Sequence, residues 1–116
     1  MNSFAGVTIE EKTVGNNVIF SIAGEIVIAN AEKMQSRVLE KAGGEEIDVI
    51  LDLRGVPYID SFGRGALVQI NNVLEKKDRR LLILMNDGHV KEELDICRLS
   101  SFMNITTDAR VLGDAA

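Results

Sequence analysis

The chain has 116 residues, 46% hydrophobic and 27% charged, and carries a net charge of −5. That length supports one core but not two, and the composition belongs to a globular chain. The acidic balance excludes the basic stripe that nucleic acid requires and argues against an anionic membrane surface.

One cysteine, Cys97, and one histidine, His89, leave no internal disulfide and no zinc ligand set. With no Trp and a single Pro, packing must rest on Val, Ile, Leu, Ala and Met. No stretch approaches the roughly 20 apolar residues of a membrane helix. Met1 to Gly6 has neither the basic region nor the apolar run of a secretory signal. A soluble, cytoplasmic protein is expected.

Val7 to Thr13 alternates apolar and polar residues and reads as a half-exposed strand. Gly15-Asn16-Asn17 is a turn signal, and Val18 to Ala23 is the second strand of a hairpin. After Gly24-Glu25 a short apolar loop, Ile26 to Ala29, leads to Asn30, which can cap a helix. Ala31, Met34, Val38 and Ala42 fall on one stripe of that helix, and Gly43-Gly44 stops it.

Ile47 to Leu53 is nearly all apolar, as expected of a strand covered on both faces. A second helix runs to about Lys77, and Arg80 to Met85 is another buried strand. Asn86-Asp87-Gly88 turns into a third helix with Val90, Leu94 and Cys97 on one face. Phe102 to Thr106 is a short last strand, and Thr107-Asp108 can cap a final turn before a frayed tail, Gly113 to Ala116. The order β-β-α-β-α-β-α-β predicts a mixed sheet with helices packed mainly on one face.

The segment Tyr58 to Leu67 is the most informative, because it places Ser61 where a loop turns into a helix. First-turn N–H groups there lack intrahelical partners, and the dipole favours negative charge. Such a serine can cap the helix, carry out chemistry or receive a phosphoryl group. A Ser61, His89 and Asp triad is weakly supported: His89 follows an Asp-Gly turn at a solvated helix start, and no glycine lies two residues before Ser61. Gly63-Arg64-Gly65 is too short for a nucleotide fingerprint, and close backbone packing is the better reading. Asp52 and Asp60 flank the loop, where solvated or capping roles outweigh metal ligation. No catalysis, cofactor or metal is expected.

Projected at 100° per residue, Gly63, Leu67, Ile70, Val73 and Leu74 form the core stripe of the second helix. Ser61, Arg64, Gly65, Val68 and Asn72 fall on the other side. A serine, a bare glycine and an exposed valine together suit close docking of a partner. An N-capping Ser61 beside an incidental Val68 accounts for the same features.

Gly24-Glu25, Leu51-Asp52-Leu53, Asp60-Ser61-x-Gly63-x-Gly65-x-Leu67 and Leu99-x-x-Phe102 together resemble the STAS domains, most closely the bacterial anti-sigma factor antagonists. The resemblance covers essentially the whole chain, 1–116, with a core over about 7–112. It implies a STAS-like α/β domain with a mixed sheet of about 4–5 strands and 3–4 short helices.

The resemblance further implies that Ser61 is the phosphoacceptor of a partner that is both anti-sigma factor and serine kinase. A PP2C-type serine phosphatase would reset the cycle, and the free protein would be a monomer. Glu25, Val27, Ile28, Asp60, Ser61, Phe62, Arg64, Gly65, Val68 and Asn72 would then form the partner surface. Three positions depart from the family: Phe62 replaces a small residue, Arg64 an aliphatic one, and Val27 an often acidic one. Phe62 is expected in the core beneath the helix start, with a partner anchor as the other reading. Arg64 is either solvated or paired with a phosphate on Ser61. The alternative function is a STAS subunit of a membrane transport complex, docking on an ATPase with Ser61 unmodified.

Overall fold

Two tight turns with left-handed backbone start the chain's folding pattern. Ala5 (φ 45°) and Gly6 (φ 84°) reverse the chain between β1 (Asn2–Phe4) and β2 (Val7–Val14). Gly15 (φ 59°) opens the turn from β2 into β3 (Asn17–Ala23). Both joins make antiparallel pairs, as two-residue turns with positive φ require. The computed structural model describes residues 2–43 and 47–115. Gly44, part of the expected helix stop, and Ala116, at the end of the expected tail, lie outside them, as does Met1.

From β3 onward the connections are helical and the pairing parallel: α1 (Ala31–Gly43) leads to β4 (Asp48–Gly55), and α2 (Ser61–Lys76) to β5 (Leu81–Leu84). Helix α3 (His89–Ile96) and a 3-10 turn at Leu99–Ser101 then lead to β6 (Asn104–Thr106). The sheet is mixed, six-stranded and ordered β1 to β6 in sequence. The α/β class is as expected. The expected four or five strands become six, because the three-residue β1 pairs on the edge without any alternation that a pattern could reveal.

Period-two alternation divides the sheet between two cores. Val49, Leu51 and Leu53 join Phe20, Ile22, Leu81 and Ile83 beneath Met34, Val38, Leu67, Ile70, Leu74 and Leu94 of the helices. Ile19, Ile50 and Leu84 point the other way and are covered by Leu112 and Val111 from a 3-10 segment, Ala109–Ala115. Strand β4 is therefore covered on both faces, as its nearly all-apolar run implies. The final turn expected after Thr107-Asp108 is thus a lid on the second core, and Gly113 (φ 58°) breaks the 3-10 segment after Leu112.

Three expectations fail locally. Asn30 stands just before α1, but its side chain faces backward, accepting the Val27 N–H and donating to the Ala5 and Glu25 carbonyls. Cys97 ends α3 and is exposed, because the helix stops before its stripe returns to the core. Val73 is half-buried, while Ala66 and Asn71 complete the buried stripe of α2.

Candidate functional site

The β3–β4 pairing continues past the strand ends into two loops. Gly24 N–H donates to the Gly55 carbonyl at 3.0 Å, Ile26 N–H to Tyr58 at 3.0 Å, and Asp60 N–H to Ile26 at 3.1 Å. Ile26 and Ile59 form a parallel bridge and are both buried. Gly24 has φ +106°, and a Cβ there would collide with the Gly6 carbonyl. The Gly-Glu element thus works through its backbone, with Glu25 exposed and its carbonyl held by Asn30.

Asp60 ties these loops to α2. It is the N-cap: Oδ1 accepts the Gly63 N–H at 2.9 Å, while Oδ2 accepts the Ile28 N–H at 3.0 Å. Ser61 is therefore not the cap. It is the first helical residue, exposed, with its hydroxyl outside the capping network. Gly63 lies where a Cβ would fall 2.6 Å from Ile59 Cγ2 and 2.7 Å from the Ile26 carbonyl. Close packing, not phosphate cradling, explains this glycine. Gly65 faces open space.

Phe62 corrects the expectation of a core residue: 56% of its surface is exposed. The reason is geometric. Gly63 and Ile59 fill the space beneath the helix start, so the residue between Ser61 and Gly63 must project outward. Ile28, 64% exposed, faces it from the other loop. Between them runs an open groove of about 690 Å³, with Ala31, Glu32 and Gln35 of α1 on one wall and Ser61, Gly65, Ala66 and Gln69 of α2 on the other.

Of the sequence-predicted residues, Ile28, Ser61, Phe62 and Gly65 meet in this groove, and Asp60 positions it. Val27 is half-buried and gives its N–H to Asn30. Asn72 is exposed further along α2, and Glu25 stays in its loop. Val68 is corrected: it is half-buried and packs on the core. Arg64 is neither free nor aimed at Ser61. Its guanidinium lies 3.7 Å from Glu93 of α3 and is largely covered. Ala31, Glu32, Gln35, Ala66 and Gln69 were missed, since only the placement of α1 shows which flank of α2 borders it.

Asp52 is buried on the sheet, where Arg54 Nε and Nη2 reach its two carboxylate oxygens at 2.9 Å. Burial pushes its carboxyl up, but the Arg54 side-chain and backbone hydrogen bonds bring it below the ordinary value. His89 is exposed at the start of α3. Among the described residues, no three His, Cys, Asp or Glu side chains are grouped as a metal site requires, and no helix is long and apolar enough to cross a membrane.

The STAS domain family model matches residues 8–111, and the chain belongs to that family. An anti-sigma factor antagonist from Mycobacterium paratuberculosis superposes with a TM-score of 0.81 at 14% identity, over 90% of this chain and 89% of that one. The Bacillus cell fate determinant SpoIIAA, in its phosphorylated form, gives 0.70 at 15% identity, over 94% of this chain and 100% of that one. Part of the murine Slc26a9 anion transporter gives 0.66 at 20% identity, over 90% of this chain but 19% of the transporter. At these identities the likeness is one of fold. No curated protein sequence matches the chain.

Proposed function

We propose that this protein is an anti-sigma factor antagonist that works as a phosphorylatable switch. Unmodified, it binds an anti-sigma factor that is also a serine kinase. Phosphorylation of Ser61 by that kinase disrupts the complex, and a PP2C-type serine phosphatase restores the binding form. Ser61 is a substrate in this scheme and the protein itself catalyses nothing.

The observation that supports this reading most is the exposed Ser61 on the rim of a groove whose apolar walls are Ile28 and Phe62. A phosphoryl group adds about −1.5 to −2 charges. Here it would stand beside Asp60 and across from Glu32, in a groove lined by no Lys or Arg. Apolar contact with a partner would then require a charged group to be desolvated. The fold shared with an anti-sigma factor antagonist and with the phosphorylated SpoIIAA adds support.

The fold shared with the anion transporter favours a second reading, a STAS component of a transport complex that docks through the same groove with Ser61 unmodified. Intact-mass analysis after incubation with ATP and the candidate kinase separates the two. One added phosphoryl group, absent from Ser61→Ala, supports the switch; an unmodified protein that still binds its partner favours the transport reading.

A further inference from the structure

The Arg64–Glu93 contact links the groove to α3, and it gives Ser61 a route to a second surface. We infer that a phosphoryl group on Ser61 takes Arg64 away from Glu93 and thereby loosens α3, so that the modification is read at α3 as well as in the groove. This rests on Ser61 being the phosphoacceptor.

Four observations carry it. Ser61 and Arg64 are three residues apart in α2, which makes them surface neighbours one turn along the helix. The capping amide that a first-turn phosphate would seek, Gly63 N–H, already belongs to Asp60. The groove lining offers no cation, and Arg64 is the first basic residue of α2. Its present partner holds it at 3.7 Å, longer than a tight charge-assisted hydrogen bond, and Glu93 is well exposed.

A phosphate carries more charge than one carboxylate and accepts paired N–H bonds from a guanidinium. The exchange is therefore downhill for Arg64. Beyond Arg64 and the Asp95 contact with Ser100 of the next turn, helix α3 has few anchors. Of its residues only Leu94 is fully buried, Val90 packs at the core's edge, and the N-cap Gly88 offers no side-chain cap. Loss of the Arg64 tether should show first as faster local opening of this eight-residue helix.

The test installs phosphoserine at position 61 by codon expansion, so it needs no kinase and stands or falls apart from the question of which enzyme modifies Ser61. Amide hydrogen exchange is followed across 91–96 in four proteins: unmodified, phosphorylated, and each again with Glu93→Gln. Phosphorylation should speed exchange there about two- to five-fold, the size an exposed ion pair supports. Glu93→Gln should speed it similarly and leave phosphorylation nothing to add. Arg64→Gln in place of Glu93→Gln should behave the same way. Unchanged exchange on phosphorylation, or an equal increase with and without Glu93, overturns the inference.

Discussion

Asp60 and Ile28 are joined across 32 residues of sequence by one hydrogen bond, the Ile28 N–H donating to Asp60 Oδ2 at 3.0 Å. The other carboxylate oxygen caps α2 through Gly63. One side chain thus sets the helix start and fixes the opposite wall of the groove. Asp60→Ala should cost about 1 kcal/mol through the lost cap alone. Asp60→Ser should restore most of that stability, because serine caps well, while leaving the Ile28 amide unheld. Urea denaturation with exchange at the Ile28 amide reads both. A fully protected Ile28 in Asp60→Ser would break the link.

The two glycines of Gly63-Arg64-Gly65 should respond oppositely. Gly63→Ala forces a methyl against Ile59 and the Ile26 carbonyl, and overpacking of this kind costs about 1–3 kcal/mol. Gly65→Ala meets nothing and should gain about 0.5–1 kcal/mol from reduced backbone freedom in the unfolded chain and better helix propensity. Chemical denaturation midpoints decide it.

Phe62 and Ile28 should matter for capture and not for folding. Phe62→Ser and Ile28→Ser should leave stability within about 0.5 kcal/mol, as exposed substitutions do. Each should weaken partner binding about tenfold or more, as apolar anchors do. Val68→Asp should instead lower the melting temperature, because Val68 packs on the core and its replacement desolvates a charge. Calorimetric titration beside thermal melts separates the two classes.

Acid stability should pass through Asp52. Its carboxyl titrates below the ordinary value because the Arg54 hydrogen bonds outweigh burial. A depressed folded pKa means the unfolded chain binds more protons, so this contribution is full above pH ~4 and is lost as pH falls through the folded value. Asp52→Asn should therefore lower stability at pH 7 and flatten the decline below pH ~4. An acid limb identical to that of the unsubstituted protein would assign the loss to other carboxylates.

Much of the fold was legible because burial imposes periodicity. The apolar run of β4 announced a strand covered on both faces, and the turn at Gly15 fixed the β2–β3 hairpin. Strand β1 escaped because three edge residues show no period. At the site, Ser61 was found from its place at a helix start, yet its neighbours were misjudged for tertiary reasons. Of the capping or solvated roles expected of Asp60 it takes the cap, and its second oxygen reaches the other loop, a link that no local pattern contains. Phe62 faces outward because Gly63 packs inward against Ile59. Arg64 lies toward α3, whose position no local pattern contains.

The switch itself is tested most directly by the affinity of the anti-sigma kinase for three forms of the protein: unmodified, Ser61→Ala and phosphorylated at Ser61. Because Asp60 and not Ser61 caps α2, Ser61→Ala should fold with stability unchanged within about 0.5 kcal/mol. It should bind as the unmodified protein does. The phosphorylated form should bind at least about a hundredfold more weakly, a difference of roughly 2.7 kcal/mol. Equal affinity of the phosphorylated and unmodified forms would contradict the account.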